Sequence, residues 1–345
     1  MKILFIGQHY PYQNNSHLQY LRLKKIYKNV DIINGYRSFF FPSISLKIFH
    51  HISSKLFSHF INNYVLKRIK KKYDLIYVMS GELINEKLII KLKMQTKKII
   101  FFCMDNPFVK RDKKKWQLFL EAAKHYDLIA YQQDSRIKLS KKLGLKNSLL
   151  VLPPYGKKIH CKQKLTRAEK IKYKNDVIFV GTWSPQKGIF LKKLIDLGLS
   201  LKIYGTRWDN DPNYKSLKLI TKLAHVPPNI YSKLIYGAKI ALCLFAEENL
   251  DTLTSRSTEI PAIGTLICSF RTKAMKKILI EDKEAIYFNN PNECFKKCNF
   301  YLKKQKKAKK IALSGHIKIT KTLKASNDDI IKKIVNNVFN KKNEN

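Results

Sequence analysis

Acidic residues are scarce in this chain: 25 Asp and Glu stand against 68 Lys and Arg, giving a formal net charge of +43 and a pI near 10.0. A charge-balanced surface is thereby excluded, and an anionic partner suits the chain. Arginine is scarce too. The excess is lysine, spread from Lys2 to Lys342, without an arginine-rich arm and without the interleaved aromatic and basic residues of RNA-binding motifs. No specific nucleic-acid partner is expected, although charge alone attracts polyanions non-specifically. No apolar run nears the roughly 20 residues of a membrane-spanning helix. The opening MKILFIG has too short an apolar core for a secretion signal and reads as a first strand. The six cysteines are scattered, several of them in apolar runs, as suits reduced core thiols. Cys294 and Cys298 stand four apart on a predicted helix without a second pair at zinc spacing, so no metal is expected.

What is present is a repeating alternation of short apolar runs and helical stretches, the pattern of parallel strands joined by helices. Its 345 residues suit two domains of about 150 each. The first set of strands is expected at 2–7, 31–33, 75–79, 98–104, 128–131 and 148–152, and the second at 177–180, 201–204, 240–245, 265–269 and 285–288. Between the sets, after Leu152-Pro-Pro-Tyr-Gly156, lies a polar, basic stretch that reads as a connection. The expected division is 1–155, a linker at 156–175, a second domain at 176–320, and a C-terminal helix with a basic tail at 321–345. In that helix Ile330, Ile331, Ile334, Val335 and Val338 make one apolar face. The fold class is α/β, two doubly wound domains facing across a cleft, with ligands expected beyond the carboxyl ends of the strands.

Phe49, Ile52, Leu56 and Phe60, with Phe57, Ile61 and Tyr64 beside them, form an apolar stripe at helical spacing, and residues 67–72 add a basic end. Two readings fit. A core-packing helix with a solvated end is the preferred one; a basic amphipathic helix on an anionic membrane is the other.

The stretch 177–188, VIFVGTWSPQKG, is a buried strand that stops at Gly181 and enters a helix almost at once. Glycine at a strand end lets backbone approach a ligand, the helix start offers unpaired N–H groups to an anion, and Lys187 adds a full charge. It matches neither a dinucleotide fingerprint nor a Walker A loop. In 251–272, DTLTSRSTEIPAIGTLICSFRT, a helix carrying Arg256 and Glu259 ends at Gly264 before a buried strand. Both charges are costly to bury unless paired with each other or with a ligand. Asp209-Asn-Asp211 has the form of a divalent-ion motif, but it follows a strand and precedes a proline, and it reads as a turn.

VIFVGTWSPQKGIFLKKLIDLGLSLKIYGTRW and TSRSTEIPAIGTLICSFRT resemble the CgeB-like branch of the group 1 glycosyltransferases, and Met104-Asp-Asn-Pro-Phe108 with VLPPY resembles it more weakly. The resemblance implies a GT-B type fold with two Rossmann-like domains and a nucleotide-sugar in the C-terminal one. Residue by residue, it implies Gly181 and Lys187 at the donor diphosphate, with Thr182 where many group 1 enzymes carry an arginine. It further implies Arg256 as a phosphate clamp, Glu259 on the ribose hydroxyls, Gly264 at the turn by the pyrophosphate, and Asp251, eight positions before Glu259, against the sugar. Arg271 is a second candidate for the charge that Thr182 lacks. On the acceptor side, His9 and Asp105 follow strands of the first domain and are candidate bases for the acceptor hydroxyl.

The expected function is metal-independent transfer of a sugar from a nucleotide-sugar, a UDP-sugar first among them, to a hydroxyl of a glycan, lipid-linked saccharide or surface component, without a cofactor. The expected setting is the cytoplasm, with peripheral contact at the inner face of an anionic membrane. The alternative is a non-catalytic protein of the same fold that binds an anionic polymer or membrane surface through its charge.

Overall fold

The computed structural model describes residues 1–8, 15–217, 221–223 and 226–340. They form two compact units, one built from Met1–Leu152, Glu248–Leu250 and the stretch from Asn327 onward, the other from Pro153–Glu247 and Asp251–Ser326. The connecting stretch after Gly156 carries a helix of its own, Arg167–Lys172, opened by a reciprocal cap between Thr166 and Glu169.

The first unit holds strands β1 (Ile3–Ile6), β2 (Val30–Ile33), β3 (Tyr73–Val78), β4 (Thr96–Cys103), β5 (Leu128–Tyr131) and β6 (Ser148–Leu150). They pair in parallel in the order β2-β1-β3-β4-β5-β6. A parallel sheet is covered on both faces, which is why its strands read as unbroken apolar runs. Alternate residues go to opposite layers. Leu4, Ile6, Ile76, Val78 and Phe101 face one core, and Ile3, Phe5, Leu75, Tyr77 and Phe102 face the other. That second layer is closed by the helix Asn327–Asn340, whose Ile330, Ile331, Ile334, Val335 and Val338 are all buried. The helix is pinned by Gln19, whose amide donates to Asn327 Oδ1 at 2.7 Å, and by the Arg22–Asp328 ion pair.

The second unit holds β7 (Asn175–Val180), β8 (Leu201–Gly205), β9 (Thr221–Leu223), β10 (Ala238–Cys243), β11 (Leu266–Phe270) and β12 (Ile286–Phe288), parallel in the order β12-β11-β10-β7-β8-β9. β9 has no counterpart among the strands expected from the sequence. The order reverses between β7 and β10, and at such a switch point the loops leaving the two strands part and open a crevice beyond their carboxyl ends.

The stripe from Phe49 to Tyr64 is not one helix. It folds as Pro42–His51, a 3-10 turn at Lys55–Phe57, and Ser58–Leu66. Phe49, Ile61 and Val65 are buried, so core packing accounts for one side of the pair, while Ile52, Leu56 and Phe60 face solvent.

Among the described residues no helix is long and apolar enough to cross a membrane.

Candidate functional site

The site begins with two glycines. Gly181 follows β7 and Gly205 ends β8. The Gly181 amide donates to the Tyr204 carbonyl at 2.9 Å, and Gly205 has φ +140°. A Cβ on Gly205 would stand 2.0 Å from the Gly181 carbonyl oxygen, so the two backbones approach as only glycine allows. Trp208 fills the space beneath and donates its indole N–H to Gly181 O at 3.0 Å. The peptide at the end of β7 is therefore held from both sides.

The turn that follows is held by a tryptophan. Trp183 donates its indole N–H to Asp211 Oδ2 at 2.8 Å, and a Cβ at Gly188 would stand 2.1 Å from that same oxygen. Asp211 is buried and also accepts from the Asn213 amide at 2.8 Å. The Asp209–Asp211 segment is thus a turn, and its second aspartate fixes the loop ahead of the helix Pro185–Asp196. That helix has Pro185 in its first turn and no side-chain cap from Ser184. Proline lacks an amide hydrogen and is preorganised there. Lys187, in its first turn, folds back so that Nζ donates to the Thr182 carbonyl at 3.3 Å, and Thr182 Oγ1 lies 3.3 Å from Thr206 Oγ1.

The helix Arg256–Ile263 supplies the other side. Ser257, Thr258, Ile260, Pro261, Ala262 and Ile263 are buried, which leaves Arg256 and Glu259, three apart, on its one less covered face. Thr258 Oγ1 donates to the Pro153 carbonyl at 2.8 Å and fixes the helix in rotation. Arg256 Nε donates to the Val180 carbonyl at 2.6 Å, directly before Gly181. Among the described residues Arg256 forms no ion pair, so the internal Arg256–Glu259 pair that the sequence left open does not form.

Glu259 meets two residues that the sequence did not single out. His160 Nδ1 lies 3.8 Å from Glu259 Oε1, and the same nitrogen accepts from the Gly156 amide at 3.1 Å. That bond keeps the lone pair on Nδ1, so in this tautomer His160 brings no charge to the carboxylate. Tyr231 packs against His160 at 5.7 Å between ring centroids. Its burial pushes the phenol well above its ordinary pKa; the Glu259 charge adds to this and the Arg256 charge opposes it. His160 falls in the stretch read as a connection, and only its distance from Glu259 in the fold marks it.

Gly181, Thr182, Lys187 and Arg256 therefore gather at the carboxyl end of β7, at the switch point, with Glu259 one helical turn away. Asp251 lies in the loop between β10 and that helix, its amide donating to Ala246 O at 3.2 Å. Gly264 is not among them. It caps the far end of the Arg256–Ile263 helix with φ +94° and precedes β11, so it stands at the amino end of the sheet. There it lines a depression of about 430 Å³ with Lys162, Tyr236 and Thr265. Arg271 is committed elsewhere, donating to Glu281 and Glu293 at 2.6 Å each.

In the first unit Asp105 follows β4 and accepts from Arg111 at 3.2 Å, with Lys115 Nζ at 3.6 Å. Arg111 grips Asp112 with two further bonds, and Trp116 donates its indole N–H to Asp112 at 2.9 Å. Buried Glu82 accepts from Tyr36 and lies in the same charged group; burial pushes its carboxyl above the usual range. Burial works to lower Lys115, but Glu82, Asp105 and Asp112 together carry it above its ordinary value. Asn106 of the Asp-Asn-Pro-Phe motif is fully buried and donates to Asn249 O at 3.1 Å. His9 lies outside the described residues.

Cys294 and Cys298 have a third neighbour that sequence spacing could not disclose. Cys268 of β11 lies 4.0 and 3.9 Å from them, sulfur to sulfur, and all three are buried. Among the described residues this is the one group of three metal-capable side chains, a ligand short of the four of a structural zinc site.

Residues 186–328, less than half of the chain, match the family model described as glycosyl transferase-like. Among curated proteins none matches the chain by sequence. Solved structures match over the whole length at low identity. Sucrose-phosphate synthase from Thermosynechococcus elongatus has a TM-score of 0.72 at 11% identity, covering 98% of this chain and 99% of that one. Anabaena HepE in complex with UDP-glucose has a TM-score of 0.68 at 12% identity, covering 98% and 99%. An E. coli trehalose-6-phosphate structure bound with UDP-2-fluoro glucose has a TM-score of 0.65 at 11% identity, covering 99% of each. The chain shares their GT-B type fold of two Rossmann-like units, the fold class expected from the sequence.

Proposed function

We propose that the protein is a glycosyltransferase of the CgeB-like branch that binds a nucleotide-sugar, a UDP-sugar first among them, in its second unit and transfers the sugar to a hydroxyl of a glycan, lipid-linked saccharide or surface component. One observation carries this reading: Arg256 and Glu259 share the open face of one helix beside the switch point, inside the glycosyl transferase-like match, and do not pair with each other. A half-buried cation and carboxylate left in this state are stabilised by a ligand that needs both, a diphosphate for the guanidinium and a diol for the carboxylate. Transfer makes a nucleoside diphosphate leaving group. Arg256, Lys187 and the start of the Pro185–Asp196 helix meet the charge that develops on it, so the reaction runs without a metal. Asp251 contacts the sugar, and Asp105 of the first unit remains the described candidate for activating the acceptor.

The test is a thermal-shift panel with UDP, GDP, ADP, CMP and dTDP on the parent and on Glu259→Ala. A nucleotide at about 100 times its Kd adds roughly 2.7 kcal/mol of stability. Selective stabilisation by one nucleotide, lost in the variant, is the expected result. An equal or absent response to all five, and to the intact nucleotide-sugars, would sink the reading and leave the polyanion-binding alternative.

A further inference from the structure

The first unit turns a large apolar surface to solvent on one stretch of chain. Phe40 and Phe41 are 72% and 80% exposed, Ile44 and Ile52 61% and 64%, Leu56 and Phe60 63% and 52%. These six residues lie on two short helices, the turn between them and the two positions ahead of the first. Ile44 lies on the first helix and Ile52 caps its end, Leu56 lies in the 3-10 turn, and Phe60 lies on the second helix. The first and last of the six are tied together, since the Phe40 and Phe60 rings meet edge-on at 6.3 Å. The helices do not need these side chains for their own packing, because Phe49, Ile61 and Val65 on the opposite side fill the core with no exposure left. Isolated exposed hydrophobics are ordinary; a contiguous patch on a small helical hairpin marks a contact site.

Charge identifies the contact. Residues 40–72 include Lys47, Lys55 and the run Lys67, Arg68, Lys70, Lys71 and Lys72, and no Asp or Glu at all. All of these basic residues are exposed. Lys71 has Asp31 at 2.8 Å and Lys55 pairs with Glu121, and Lys67, Arg68, Lys70 and Lys72 have no carboxylate partner among the described residues. A stretch that combines exposed large aromatic and aliphatic side chains with exposed basic ones, and carries no acidic residue of its own, suits a phase that is apolar inside and negative at its surface.

We infer that the Phe40–Lys72 hairpin docks the first unit onto an anionic lipid bilayer, with Phe41, Ile44 and Phe60 entering the boundary of headgroups and acyl chains and the 67–72 run lying along the phosphates. The contact is interfacial, and it does not rest on the transferase reading. Nucleotide binding and membrane binding are separate measurements, and either can fail alone.

The test is co-sedimentation of the full chain with vesicles of phosphatidylcholine alone and of phosphatidylcholine with phosphatidylglycerol, at low and high salt. A protein of this charge binds anionic vesicles to some degree through its lysines alone, so the apolar side decides. The variant Phe41→Ser/Ile44→Ser/Phe60→Ser, which alters exposed positions only, is expected to bind at least about tenfold more weakly and to lose the salt-resistant part of the binding. The control Lys306→Glu/Lys309→Glu/Lys310→Glu, with its charge change on an exposed face of the second unit, keeps that part. In Phe41→Trp, lipids brominated on the acyl chain quench fluorescence beyond the quenching seen in the parent. Parent-like binding by the triple serine variant, binding abolished entirely by salt, or no added quenching in Phe41→Trp would each overturn the inference. So would a patch-dependent dimer seen by light scattering in place of vesicle binding.

Discussion

At the carboxyl end of the first sheet Arg111 holds Asp105 and Asp112, Trp116 adds a bond to Asp112, and Tyr36 donates to Glu82. At the carboxyl end of the second sheet Arg256, which forms no ion pair among the described residues, donates to a backbone carbonyl, and Glu259 has His160 at 3.8 Å and the Tyr231 phenol nearby. Both ends are rich in charge, but in the first unit the charges satisfy one another. A self-satisfied cluster stabilises and positions; a cluster whose members avoid each other is arranged for something else to complete it. The contrast also explains why residue type alone was a poor guide: Asp105 and Glu259 are both carboxylates near strand ends, and only their partners distinguish them.

The largest effect expected from breaking this arrangement comes from Gly205→Ala. Its Cβ meets the Gly181 carbonyl at 2.0 Å in a backbone conformation that side chains rarely adopt. A loss of more than about 2 kcal/mol of stability is expected, measured by denaturant unfolding, together with loss of any nucleotide-dependent shift. Parent-like stability would mean that the close approach of β7 and β8 is not required.

A sharper comparison sets Asp112→Ala beside Arg256→Met. Removing Asp112 strips Arg111 and Trp116 of their shared acceptor and should cost about 1–3 kcal/mol while leaving the nucleotide response intact. Arg256→Met gives up one bond to a carbonyl and should change the stability of the free protein by about 1 kcal/mol or less, yet abolish the nucleotide response. The reverse pattern would remove the distinction drawn between the two sheet ends.

The smallest effects are in pH. Burial holds the Glu82 carboxyl above its ordinary 4.5. The fold binds that proton more tightly than the unfolded chain, so the contribution of Glu82 to stability falls as pH rises from 4.5 through the folded value. Glu82→Gln should therefore gain on the parent as pH rises. Glu293 is the opposite case, held below 4.5 by Arg271. Its contribution is present above 4.5 and is lost as pH falls through its lowered value, and Glu293→Gln should flatten that acid-side loss. Unfolding midpoints collected across pH would show two opposed slopes; slopes of the same sign in the two variants would contradict these assignments.

Much of the molecule was legible in the amino-acid sequence. Eleven of the twelve strands among the described residues were expected within about two residues of where they lie, because a parallel strand covered on both faces must be apolar at every position, a property visible residue by residue. β9 was not expected; its Thr-Lys-Leu carries too short an apolar signal to read. The helices Pro185–Asp196 and Arg256–Ile263 and the importance of the turn after β7 were legible for the same local reason. Sequence spacing was silent on Tyr231, which shapes the surroundings of Glu259, on Cys268 beside the two helical cysteines, and on which side of the Phe49–Tyr64 stripe would be left outside.

By itself, then, the sequence determined two parallel-sheet units, the strands and the glycine turn, since these follow from hydrophobic periodicity and from backbone conformations that glycine permits locally. Only the tertiary structure decided that Arg256 and Glu259 stay apart, that Arg111 and Arg271 are already taken, and that Gly264 stands at the far end of the sheet. Pairing of charges depends on which way the side chains turn and on what the fold brings beside them, such as the Val180 carbonyl 76 positions before Arg256, and nothing in their order along the chain records that.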